Sequence, residues 1–250
     1  MSAWCCCTCC SVWVCRPWPH TSSGSGPRRG SNPTSPPRPP SGARYPSAML
    51  RARVVLSERA WDAVRLRYGV AEQHTMLSRV AGPDPDEDEL DRIGPALARE
   101  IAEAITLVAR PVVELHGHVG DKVFVAATNG HQAVLAATDG SRYELTPIAT
   151  DKLIPSTIDL LPARPAGQGE VRRFPLEALE PLSRDIRAGR FSAARRDHLG
   201  RRRQSRCPVT VADAESGRWL LTHRESWTVV TPGTRQQLRA LMTELLRQVH

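Results

Sequence analysis

The chain has 250 residues, 40% of them hydrophobic, and a formal net charge of +8. No stretch approaches the ~18 consecutive apolar residues of a membrane helix, so no membrane span is expected. Five Arg and no acid fall in residues 1–48, while residues 49–250 carry 29 basic against 26 acidic residues. The body is therefore close to neutral, and a general nucleic-acid-binding surface is not indicated.

Six of the seven cysteines lie in residues 1–15, and only Cys207 lies beyond them. No disulfide framework supports a domain, and the body reads as cytosolic and reduced. Cys6/Cys9 and Cys7/Cys10 have C-x-x-C spacing, but no matched second pair of ligands exists, which argues against zinc. The leader lacks a basic n-region and a small-residue cleavage site, so it does not read as a secretory signal. Residues 16–48 hold nine prolines with Ser, Gly and Arg, a composition expected to be disordered. Met49 opens globular sequence. Residues 1–48 are read as an extension upstream of a start at Met49, a reading that intact-mass measurement on native protein tests.

From Val54 a short strand leads to Ser57 as the N-cap of a helix containing Trp61, Val64 and Leu66. The acidic run Pro83–Glu89 opens a second helix, whose apolar residues Leu90, Ile93, Leu97, Ile101, Ile105 and Val108 recur every three or four positions up to Pro111. Acids at a helix start suit its dipole, so a solvated terminus explains that run. Four strands are predicted near 112–118, 122–128, 132–138 and 142–146, with hairpin turns at Asn129-Gly130 and Asp139-Gly140. A helix over 151–161 buries Leu153, Ile154, Ile158 and Leu161. Residues 162–170 form a linker; a strand near 171–176 and a short helix over 179–188 follow. An Arg-rich segment then precedes a hairpin turning at Ser216-Gly217, a strand with Trp227, and a last helix with Leu238, Leu241, Met242, Leu245 and Leu246 inward.

The two halves echo each other. Val125-Ala126 matches Val211-Ala212, Gly130 matches Gly217, and Thr146-Pro147 matches Thr231-Pro232, at nearly constant offset. Only two copies exist, so the pattern points to two similar halves in one body and not to a solenoid. The predicted fold is α/β of the α+β type: duplicated antiparallel β-meander-plus-helix halves related by a quasi-two-fold, with flanking helices. The first half spans about 49–162 and the second about 171–250.

Chemistry is sparse. His116 and His118 share a strand face but lack a third ligand, and polar histidines on a hairpin rim explain them. His223 and Glu225 have the H-x-E spacing of zinc deaminases without the P-C-x-x-C that must follow. Walker, dinucleotide and nucleophile-elbow motifs are missing from the sequence. Neither an enzyme nor a bound cofactor or metal is expected. The six Arg between Arg195 and Arg206 could meet nucleic acid or an acidic protein. A charge-protected edge strand is the preferred account.

At Ala193-Ala194-Arg195-Arg196-Asp197 through Gly200-Arg201-Arg202-Arg203, Asp213 through Gly217-Arg218-Trp219, Trp227 through Thr231-Pro232, and Asp159-Leu160-Leu161-Pro162, the chain resembles the EspG family of type VII (ESX) secretion proteins. The resemblance covers about residues 52–249. It departs from the family in a short 177–192 segment, where members often carry longer helical-bundle sequence, in Gly233-Thr234 before the last helix, and in Asp213-Ala214. The resemblance implies a mixed α/β body of two quasi-symmetric halves with a central antiparallel sheet. It further implies a cytosolic chaperone that binds the tip of PPE proteins in PE–PPE heterodimers, keeps them soluble and presents them to the ESX secretion machinery. The contact regions it suggests are His118, Val119, Gly120 and Asp121 in a hairpin turn, and Leu179, Leu182 and Ile186.

Overall fold

The computed structural model describes residues 50–78, 87–175, 187–224 and 226–250. The extension 1–48, the start of the acidic run at 83–86, and most of the helix expected over 179–188 lie outside the described residues. Ala188, expected at the end of that helix, belongs to a strand instead.

Strand β1 (Val54–Ser57) passes directly into helix α1 (Glu58–Arg67). The Ser57 hydroxyl accepts the Ala60 N–H at 3.1 Å, the cap expected from sequence. The single helix expected up to Pro111 is two, α2 (Glu87–Ile93) and α3 (Pro95–Ala109). Pro95 disfavours the helical region for the residue before it, and Gly94 takes φ 78° there, so the axis breaks although the apolar spacing runs on. Trp61 of α1 is buried and stacks on Tyr143 at 4.3 Å between ring centroids.

Strands β2 (Val113–Val119), β3 (Lys122–Thr128), β4 (Ala133–Thr138) and β5 (Arg142–Ile148) form the first meander. Its β3–β4 and β4–β5 turns are solved alike. Asn129 Oδ1 accepts the N–H groups of His131 and Gln132, and Asp139 Oδ1 those of Ser141 and Arg142. The hydroxyls of Thr128 and Thr138 accept from Gly130 and Gly140, both at positive φ. A 3-10 turn (Thr150–Lys152) leads to α4 (Leu153–Ile158), shorter than the helix expected to reach Leu161. Strand β6 (Arg172–Pro175) begins the second half, followed by β7 (Arg187–Arg196), the short β8 (Arg202–Gln204), β9 (Val209–Ala214), β10 (Gly217–Arg224), β11 (Trp227–Pro232) and α5 (Arg235–Gln248).

The strands make one sheet in the order β1-β5-β4-β3-β2-β7-β9-β10-β11-β6, all pairs antiparallel, with β8 pairing only β7. That order reads alike from either end once β1 is matched to β6, β2 to β7, β3 to β9, β4 to β10 and β5 to β11. The segments paired by sequence occupy matched strands. The seam between halves is β2 against β7, in register from Val113↔Arg195 to Val119↔Gly189.

Alternation along the strands sends side chains to two cores. On one face Leu115, Phe124, Ala126, Phe191, Val209, Val211 and Leu220 meet Leu153 and Ile158 of α4 and Leu238, Met242 and Leu245 of α5. On the other, Val125, Ala127, Val134, Ala136 and Leu145 meet α1 and α3. The first core crosses the seam. The second belongs to the first half, since α1, α2 and α3 all lie between β1 and β2. Among the described residues, no helix is long and apolar enough to cross a membrane.

Candidate partner-binding surface

Beta hairpin β2–β3 turns at Gly120-Asp121, with Gly120 at φ 54°. The Gly120 N–H donates to the Ala188 carbonyl at 3.0 Å. Ala188 is the extra residue of a bulge, because β7 pairs Arg187 with Ala212 and Gly189 with Val211. Backbones are close here. A Cβ on Gly117 would fall 1.8 Å from the Arg190 carbonyl oxygen, and one on Gly189 3.1 Å from that of His118. Two glycines thus let the turn lie against the first residues of β7. Gly120 and Asp121 are exposed, His118 is half-buried, and Val119 packs into the core, so its own role is to seat the turn. Leu179, Leu182 and Ile186 lie outside the described residues.

Further along β2, on the face shared with His118, sits a buried polar cluster. Glu114 is 1% exposed. Its carboxylate accepts from Arg202 Nε at 3.0 Å, from Arg202 Nη2, and from His74 Nε2 at 3.1 Å. The Met76 N–H donates to His74 Nδ1, so that nitrogen carries the lone pair and Nε2 the proton given to Glu114. His116 Nδ1 lies 3.2 Å from the carboxylate, and Gln204 Nε2 lies 3.4 Å from His116 Nε2. Burial raises the Glu114 pKa, but the hydrogen bonds of His116 and His74 and the charge of Arg202 outweigh it and hold the carboxyl below its ordinary value. His116, expected on a hairpin rim, is instead buried at 4% exposure. Among the described residues, no group of three or more His, Cys, Asp or Glu could hold a metal ion. Sequence reading missed this cluster. Its one signal is Glu114 on the same strand face as His116 and His118, and nothing marked His74 or Arg202 as its partners.

The arginines between Arg195 and Arg206 do not form one patch. Arg202 is held by Glu114, and Arg196 donates to the carbonyls of Gly200 and Ala109. Arg195 meets His250, whereas Arg201, Arg203 and Arg206 are exposed. β8 is indeed an edge strand of three exposed residues. His223 bonds Thr228 Oγ1 at 2.7 Å, and Glu225 lies outside the described residues.

The strings Asp159–Pro162 and Asp213–Trp219 meet in space. Arg218 is 7% exposed, reaches both Asp213 oxygens at 2.7 and 2.8 Å, and donates to the Pro162 carbonyl at 2.8 Å. Its own carbonyl accepts from Gly167 and Gly233, each at 2.7 Å. A Cβ at Gly233 would strike Arg218 Cγ at 2.4 Å, which accounts for glycine before the last helix. These residues tie the linker onto the second meander.

Comparison with known proteins follows the same outline. The sequence profile of the EspG family matches residues 64–185 and 182–244. No curated protein matches the chain significantly. Among solved structures it is similar to the type VII secretion system chaperone EspG5 of Mycobacterium tuberculosis, determined in complex with a PE25-PPE41 dimer. The TM-score is 0.59 at 13% sequence identity, over 79% of this chain and 97% of that chain. At that identity the likeness is one of fold.

Proposed function

The chain belongs to the EspG family, and from that premise we propose that it is a cytoplasmic chaperone of type VII (ESX) secretion. It binds a PE–PPE heterodimer through the tip of the PPE protein, keeps the pair soluble and hands it to the secretion machinery. The supporting observation is a family match that runs through both halves of a sheet whose outline follows EspG5 over 97% of that chain. Its activity is burial, with no bond made or broken. A helical tip that exposes apolar side chains self-associates unless it is covered. Release at the secretion machine calls for an interface of ordinary size and moderate affinity.

The contacts in this reading are His118, Gly120 and Asp121 of the turn seated by Val119, together with Leu179, Leu182 and Ile186. The test is co-expression with cognate PE–PPE pairs from the same genome, followed by size-exclusion chromatography with mass detection. A 1:1:1 complex is expected. Asp121→Arg is expected to weaken it about tenfold without changing the melting temperature, since rim charges act on association and not on the fold. Failure with every cognate pair removes the chaperone reading; unchanged affinity in Asp121→Arg removes the turn from the interface.

A further inference from the structure

On the face covered by α5, the second half holds an open groove of about 1300 Å³ between that helix and strands β9, β10, β11 and β6. Val209 and Val229 of the sheet and Leu241 and Leu245 of α5 give it an apolar lining. Trp227 stands in it with half its surface exposed, a large aromatic side chain left without a full covering. Arg173, Arg206 and Arg224 stand around it, all exposed, and none of the three has a carboxylate partner among the described residues. Among the described residues, the one acid of the lining is Glu244, which Arg247 approaches at 3.8 Å. Three guanidinium groups without a carboxylate among the described residues, around an apolar lining, describe a site for an apolar segment that carries its own negative charge.

The groove is separate from the β2–β3 turn. The turn lies by the start of β7, which pairs with Ala212 towards the end of β9, whereas the groove lies by Val209 at the start of β9 and Thr222–Arg224 at the end of β10. Register therefore sets the two at opposite ends of the strands.

Charge also selects the occupant. Residues 1–48 of this chain hold five Arg and no acid, and residues 49–250 of a second copy carry 29 basic against 26 acidic residues, so neither supplies the net negative charge that the arginines call for. The volume exceeds the range of ≈ 300–1,000 Å³ usual for small-molecule sites. We propose that this groove docks an acidic amphipathic segment of a partner protein, apolar on the side facing Trp227 and Val229 and carboxylate-bearing on the side facing Arg173, Arg206 and Arg224. The site stands independently of the chaperone reading.

The experiment uses the full chain and a fluorescein-labelled amphipathic peptide of about 18 residues, with Leu at helical i, i+3, i+4 spacing and Glu elsewhere. A second peptide replaces every Glu by Lys. Fluorescence anisotropy is expected to show saturable binding of the Glu peptide alone, with a change in protein tryptophan emission that Trp227→Phe abolishes. The combined variant Arg173→Glu, Arg206→Glu, Arg224→Glu is expected to lose about tenfold or more in affinity. Its circular dichroism melt should be unchanged, because all three side chains are exposed, and the corresponding Lys variant should still bind. Absence of saturable binding, equal binding of the Lys peptide, or unchanged affinity in the Glu variant would overturn the proposal. So would dimerisation in sedimentation velocity that the Glu variant abolishes, which gives the groove to a second copy. Peptide binding that appears only after deletion of residues 2–48 would give it to the chain's own extension and overturn the proposal likewise. None of these outcomes uses a PE–PPE pair, and Asp121→Arg should leave peptide binding intact, so failure here is distinct from failure of the chaperone reading.

Discussion

Single side chains hold the two halves together at two places. Glu114 comes from the first half and Arg202 from the second, and with the carboxylate almost wholly buried neither can be removed cheaply. Breaking a buried ion pair from one side costs about 3 kcal/mol or more. Glu114→Gln is expected to lower unfolding stability by about that amount in urea at pH 7. The pH dependence has a definite sign. The folded-state pKa of Glu114 lies below its ordinary 4.5, so the contribution is present above that value and fades as pH falls through it. His223 acts in the same direction: burial, and then the charge of Arg190, lower its pKa from 6.5, so acidification below that value favours the unfolded chain. Thermal melts should fall from pH 7 to pH 5 alike in the parent and in Glu114→Gln, through His223, and below pH 4.5 should fall less steeply in Glu114→Gln. At the second place, Arg218→Ala strands Asp213 and releases Pro162, with an expected loss of about 3 kcal/mol. Arg218→Lys should recover only part of it, because a point charge does not reproduce the two-pronged contact.

Elements depend on a few backbone decisions. Thr234 caps α5 in a reciprocal box with Gln237, each bonding the other's N–H at 3.0–3.1 Å. Thr234→Ala is expected to cost about 1 kcal/mol, read from the urea midpoint. Gly117→Ala should be far worse, on the order of 4 kcal/mol, since its Cβ would collide with the backbone of β7 and open the seam. What the sequence made legible follows this division. The β2–β5 meander and its turns could be read because Asn129-Gly130 and Asp139-Gly140 are local signals within alternating strands. Ser57 could be read as a cap for the same reason. The break at Gly94-Pro95 could not be read from periodicity, because Leu90 and Ile93 keep the spacing of Leu97 and Ile101 while belonging to another axis. Of the candidate site, the turn at 118–121 was legible as a hairpin. The burial of Val119 and His116, and the pairing of Glu114 with residues 40 and 88 positions away, were not. Such contacts are set by which strands become neighbours, and no local pattern carries that.

At the scale of the molecule, duplication builds one sheet and not two domains. The core shared by α4, α5, β2, β3, β7 and β9 lies across the seam, so each half alone would leave β2 or β7 as a long bare edge beside an open apolar face. A fragment of residues 49–162 is accordingly expected to show no cooperative thermal transition by circular dichroism, and mixing it with 163–250 is expected to restore one.

The buried carboxylate on β2 has a consequence for synthesis. A ribosome that has completed the first meander has made an acid that has His74 and His116 to hand but lacks its guanidinium partner until residue 202 has left the exit tunnel. Burying the charge of that carboxylate before then is costly, so the strand is expected to settle late in synthesis. The shell around Glu114 is thus complete only in copies translated past β8.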